Sequence, residues 1–167
     1  MSLQSQKSER AAPRTYLEIL VIRVAGQWFG LRSDRQIHLL HFEASQLRQP
    51  DGNLAQISGL LGELGENRLP VLDLAYLLEL PTHSPAKQLV QLTLNGQTFG
   101  FAIEQAQEIQ RVTLAELHQL PPLIKHLHTR AAVWAVWQRS AEDLIPLLDF
   151  NFVFDNITRQ TLQPEQS

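Results

Sequence analysis

The sequence predicts a mainly β protein built from two copies of one small unit, and three observations carry that reading. Gly26-Gln27-Trp28-Phe29-Gly30 recurs as Gly96-Gln97-Thr98-Phe99-Gly100, and Leu69-Pro70-Val71-Leu72-Asp73-Leu74 recurs as Ile145-Pro146-Leu147-Leu148-Asp149-Phe150. Both matches keep their order, which is the signature of an internal duplication. Ahead of the first motif, Leu20, Ile22 and Val24 align with Val90, Leu92 and Leu94. An apolar residue at every second position marks a strand with one buried face.

Each copy reads as the same series of short elements. Asn95-Gly96 follows the first strand of the second copy and supplies a two-residue type I′ turn, because both central positions need positive φ. Ala25-Gly26 takes its place in the first copy. Return strands are expected at about 27–31 and 97–103, where Gly30 and Gly100 mark a bulge or a close backbone approach. A third strand follows, through Ile37, Leu39 and Leu40 in one copy and Ala106, Ile109 and Val112 in the other. The glycine-rich stretch 59–65 reads as a turn-rich loop. Pro70 and Pro146 lack an N–H and belong at a strand edge, end or bulge. Asp73 and Asp149 stand where an N-cap should be, leading into short helices at 74–80 and 150–154; a carboxylate there accepts orphan N–H groups. Thr113-Leu114-Ala115-Glu116 has the form of a capping box, opening a short helix that Pro121-Pro122 ends. Residues 80–86 form the linker between copies, and 131–138 with 144–148 form a hairpin. Trp134 and Trp137 fall on opposite faces of that hairpin, so one of them faces away from the core.

Composition narrows the chemistry. The chain has 167 residues, a formal net charge of −3 and 44% hydrophobic residues. A nucleic-acid groove normally shows as a basic excess, which is missing. Cysteine is absent, which excludes disulfides, thiolate metal sites and cysteine nucleophiles; a reducing cytoplasm is compatible with that. No run approaches the roughly 18 apolar residues of a membrane span. Residues 1–15 are polar and lack the apolar stretch of a signal peptide, so they and residues 155–167 are expected to be disordered tails. Neither a phosphate-binding glycine loop nor a G-x-S-x-G elbow is present, and no cofactor is expected. Histidines are the remaining candidates for a site. His126 and His128 form an H-x-H with His118 upstream, the raw material for a metal-dependent enzyme. No carboxylate partner stands nearby, and surface histidines are the plainer reading. His38 and His41 flank an apolar pair and read as partly exposed strand residues.

The constellation resembles the CheW-type chemotaxis coupling-protein family. The residues that carry it are 17–30, the linked 70–74, and a second-half run. That run holds Gly100-Phe101-Ala102-Ile103-Glu104, then Ala106-Gln107-Glu108-Ile109, then 113–122, and 144–154 closes the match. The resemblance covers 16–154, with 16–80 the first repeat and 87–154 the second, and implies two intertwined five-stranded SH3-like barrels. It also implies a cytoplasmic, non-enzymatic adaptor that docks the regulatory domain of a CheA-type histidine kinase onto a methyl-accepting receptor, or a related module that assembles structurally. Two positions differ from the family pattern. Glu63-Leu64-Gly65 stands where an arginine usually precedes the glycine, with Arg68 the nearest substitute, and His38 stands where a glutamate is common. The partner surface is expected along Ile37, His38, Leu39, Leu40 and Phe42, near Glu63, Leu64 and Arg68, and at Trp134 and Trp137. Side chains alternate along strands, so part of this set must be core.

Overall fold

Both copies begin with the same hairpin. In a computed structural model describing residues 15–33, 37–52, 56–81, 85–119 and 132–151 with Val153 and Asp155, β1 (Tyr16–Val24) pairs antiparallel with β2 (Gln27–Arg32). Likewise β6 (Gln88–Leu94) pairs with β7 (Gln97–Ile103). The closing pairs are Val24↔Gln27 and Leu94↔Gln97, and all four turn residues have positive φ: Ala25 49°, Gly26 77°, Asn95 50° and Gly96 79°. Residues 1–14 and 156–167, His126, His128, Pro121-Pro122 and the centre of the linker lie outside the described residues.

The remaining strands show how the copies interlock. In the first copy these are β3 (Ile37–His41), β4 (Leu60–Leu64) and β5 (Leu69–Asp73); in the second, β8 (Gln105–Thr113), β9 (Leu117–His118), β10 (Val133–Gln138) and β11 (Leu144–Leu148). One sheet has the order β8-β1-β2-β11-β10-β9 and the other β3-β6-β7-β5-β4. Each sheet therefore takes its central hairpin from one copy and its flanking strands from the other. The junctions are parallel and repeat-related: Leu147 pairs with Gly30, and Val71 with Gly100. The mainly β, intertwined architecture expected from the sequence is present. Among the described residues the sheets have six and five strands because β9 is a short strand, whereas its counterpart Arg48 makes a single bridge, to Glu63.

The prolines fit this plan. Pro70 lies opposite Glu63, whose N–H and C=O are both bonded to Arg48 at 2.9 Å. That pair asks no donor of the proline, and the parallel ladder starts one residue later, at Val71. Pro146 lies opposite Val136, one residue before the Leu147 junction.

Three expectations are corrected. Residues 60–64 of the glycine-rich stretch are the strand β4 rather than loop, bulged at Gly62 (φ 152°) and followed by a turn at 65–68. The helix after Asp73, α1 (Leu74–Leu77), is a single turn, stopped by the left-handed Glu79 (φ 56°). The capping box at Thr113 opens a three-residue 3-10 turn that passes straight into β9, not a longer helix.

Among the described residues three clusters make up the core. The largest lies between the sheets and draws on both copies, with Ile22, Phe29 and Leu72 beside Val90, Phe101 and Phe150. Phe101 and Phe150 meet edge to face at 4.8 Å. The second lies on the opposite face of the six-stranded sheet, with Ile19, Val21, Val112, Trp137 and Leu147; the third, smaller, holds Phe42, Val71, Leu89 and Ala102 on the other sheet.

Candidate functional site

β3 and β8 are each an edge strand of their own sheet. An edge strand carries unpaired backbone groups and is a natural place for another chain to bind. The duplication makes the two edges counterparts: Leu39 pairs with Val90 on β6 as Ile109 pairs with Leu20 on β1. Leu39 and Ile109 are both large, apolar and exposed, at 47% and 55%. Between them runs an open groove of about 690 Å³, lined by Leu20, Ile37, Leu39, Ala106 and Ile109 with glutamines at 105, 107 and 110 and with Glu108. An apolar floor with a polar rim is the form of a protein-docking surface.

The expected partner residues divide around this groove. Ile37 and Leu39 line it. His38 and Leu40 alternate to the opposite side of β3, where Leu40 lies opposite the buried Leu89. Phe42 is not a surface residue: its N–H bonds to Lys87 O, and its ring belongs to the third core cluster, against which Leu64 packs. Glu63 is also buried, tied by its backbone to Arg48. Arg68 is exposed in the β4–β5 turn, with φ 51°. β4 and β3 stand at opposite edges of their sheet.

Of the two tryptophans, Trp137 packs into the second core cluster at 4% exposure, while Trp134 faces outward at 38%. The Arg32 guanidinium lies 6.0 Å from the centre of the Trp134 ring, within range of a cation–π contact. Beside it is a smaller cavity of about 290 Å³, floored by Leu31, Leu92, Leu148 and Phe150 and reached by Ile37.

The residues singled out for structure occupy tight or capped positions. A Cβ at Gly30 would overlap Leu147, and one at Gly100 would stand 3.2 Å from Leu89 Cδ1. Asp73 accepts the N–H groups of Ala75 (3.1 Å) and Tyr76 (3.4 Å), and Asp149 accepts that of Asn151 at 3.0 Å. Of the three-histidine set, only His118 is described; it is exposed and paired with Val136. Among the described residues no group of three or more His, Cys, Asp or Glu side chains could hold a metal ion. No helix among them is long and apolar enough to cross a membrane.

Sequence reasoning missed the β8 wall of the groove. The signal was available, because Ile109 occupies the position in its copy that Leu39 occupies in the other. What the repeat does not reveal is that two strands far apart in the chain become neighbouring edges.

Comparison with known proteins agrees with this architecture. A family model for the CheW-like domain matches residues 61–158. Among solved structures, the chain is similar to the scaffolding protein TtCheW from Thermoanaerobacter tengcongensis, at 17% identity and a TM-score of 0.66, over 83% of this chain and 92% of that one. At that identity the likeness speaks for the fold. No curated protein sequence matches the chain significantly.

Proposed function

This chain belongs to the CheW-like domain family, and from that premise we propose that it is a cytoplasmic, non-enzymatic adaptor coupling a CheA-type histidine kinase to methyl-accepting receptors in a taxis or pilus-motility pathway. The observation that carries the reading is the groove between β3 and β8, with Leu39 and Ile109 exposed on either side. Isolated surface leucines are ordinary, but an apolar groove between two unpaired strand edges is a place to dock a partner. Its floor and glutamine rim suit an amphipathic helix laid lengthwise, which presents apolar residues to the floor and polar ones to the rim. We assign this groove to the receptor and leave the exposed surface away from it for the kinase regulatory domain.

Calorimetric titration of the full chain with the cytoplasmic fragment of the cognate receptor, and separately with the kinase regulatory domain, tests the reading. Binding of both is expected. Leu39→Asp should weaken the receptor at least tenfold and leave the kinase domain within twofold of wild type. Absence of binding to either fragment at tens of micromolar, on protein shown to be folded, would overturn it.

A further inference from the structure

Resting on the groove reading above, we infer that the receptor segment lying along Leu39 and Ile109 continues past Ile37 and buries one apolar side chain against Trp134, which makes Trp134 the docking anchor of the second copy. Ile37 is the physical link, since it lines both the groove and the cavity beside Trp134. At about 290 Å³ and open to solvent, that cavity has room for an apolar side chain inserted from a larger partner.

Strand alternation turns Trp134 outward. Its neighbours on β10 at 135 and 137 are buried, whereas Trp134 is 38% exposed at the cavity mouth with Arg32 alongside. Tryptophan and arginine are the residue types most enriched among the few positions that dominate interface energetics. The duplication supplies an internal control. Leu61 holds the corresponding position in the first copy, beside Ala102 and Asp73, as Trp134 stands beside Arg32 and Asp149. The Leu61 cavity, about 450 Å³, shares no lining residue with the groove. The aromatic anchor thus stands at the one of these two related cavities that is continuous with the docking surface.

The same calorimetric titration distinguishes this inference from the reading beneath it. Trp134→Ala should weaken the receptor fragment at least tenfold, Trp134→Phe by less, and Leu61→Ala by no more than twofold. A second readout does not depend on truncation: the fragment should shield from acrylamide quenching an emission component that is missing in Trp134→Phe. If Leu39→Asp weakens binding while Trp134→Ala stays within twofold and no shielding occurs, the anchor is overturned and the groove stands. If neither substitution changes affinity, or wild type itself does not bind, both are overturned.

Discussion

At Gly30 an added Cβ would overlap Leu147 and stand 2.8 Å from Ile19 Cγ2, whereas at Gly100 its nearest neighbours are leucine methyls at 3.2 and 3.4 Å. The two positions are repeat-related, and each faces the parallel junction with a strand of the other copy. Overpacking a filled site typically costs about 1–3 kcal/mol. Gly30→Ala is therefore expected to fall in that range, and Gly100→Ala well below it, because Leu89 and Leu69 need give way by only a few tenths of an ångström while Leu147 and the β-branched Ile19 must move farther. Urea unfolding of the two variants checks the order; equal losses would show that the junctions are packed alike. Tryptophans at 134 and 137 make a second pair. Trp137→Ala should cost about 3–5 kcal/mol, as truncation of a buried aromatic does, while Trp134→Ala should change stability by less than about 1 kcal/mol, as exposed positions do. The buried member thus reports on folding and the exposed one on docking.

Elements as short as these depend on local chemistry at their ends. The β1–β2 turn holds Ala25 at φ 49°, a region in which a Cβ is strained by about 1–2 kcal/mol, while the equivalent β6–β7 turn uses Asn95 at φ 50°. Asparagine tolerates that conformation through local side-chain hydrogen bonding, and glycine meets no Cβ clash there. Exchanging the chemistry should move stability in opposite directions: Asn95→Ala down by about 1 kcal/mol, and Ala25→Gly up by as much as about 1 kcal/mol less the small loss of its buried methyl. Thermal unfolding measures both. The caps give a parallel case. Asp73 satisfies two N–H groups at the start of α1, so Asp73→Ala should cost about 0.5–2 kcal/mol. These features were legible in the sequence because turn and cap chemistry is local, lying within a few residues of Asn-Gly or of the proline-containing motif. Helix length was not. α1 stops at Leu77 because the chain turns left-handed at Glu79, a conformation that no residue type at that position announces.

For the whole molecule, the repeat revealed two copies, but an offset between motifs does not say which sheet a strand will join. Alternation told which residues of β3 share a face without telling which face is covered. Leu39 stays open on the groove side, and Phe42 is buried among Val71, Leu89 and Ala102 on the other. The groove itself was illegible for the same reason: its walls come from two copies, and only the exchange of strands makes their edges neighbours. That exchange has a thermodynamic consequence. The largest core cluster mixes residues of both copies, and each parallel junction joins one copy to the other. Neither 16–80 nor 87–154 can bury its apolar face alone, and a unit of that size is marginal even with a core of its own. The full chain should therefore unfold in one transition, with tryptophan fluorescence and far-ultraviolet dichroism giving coincident midpoints. Each half expressed alone should show no cooperative unfolding, and mixing the halves should restore the dichroism of the intact protein. A half that melts cooperatively by itself would mean that its strands can close on one another, and that the exchange between copies is not required for either to fold.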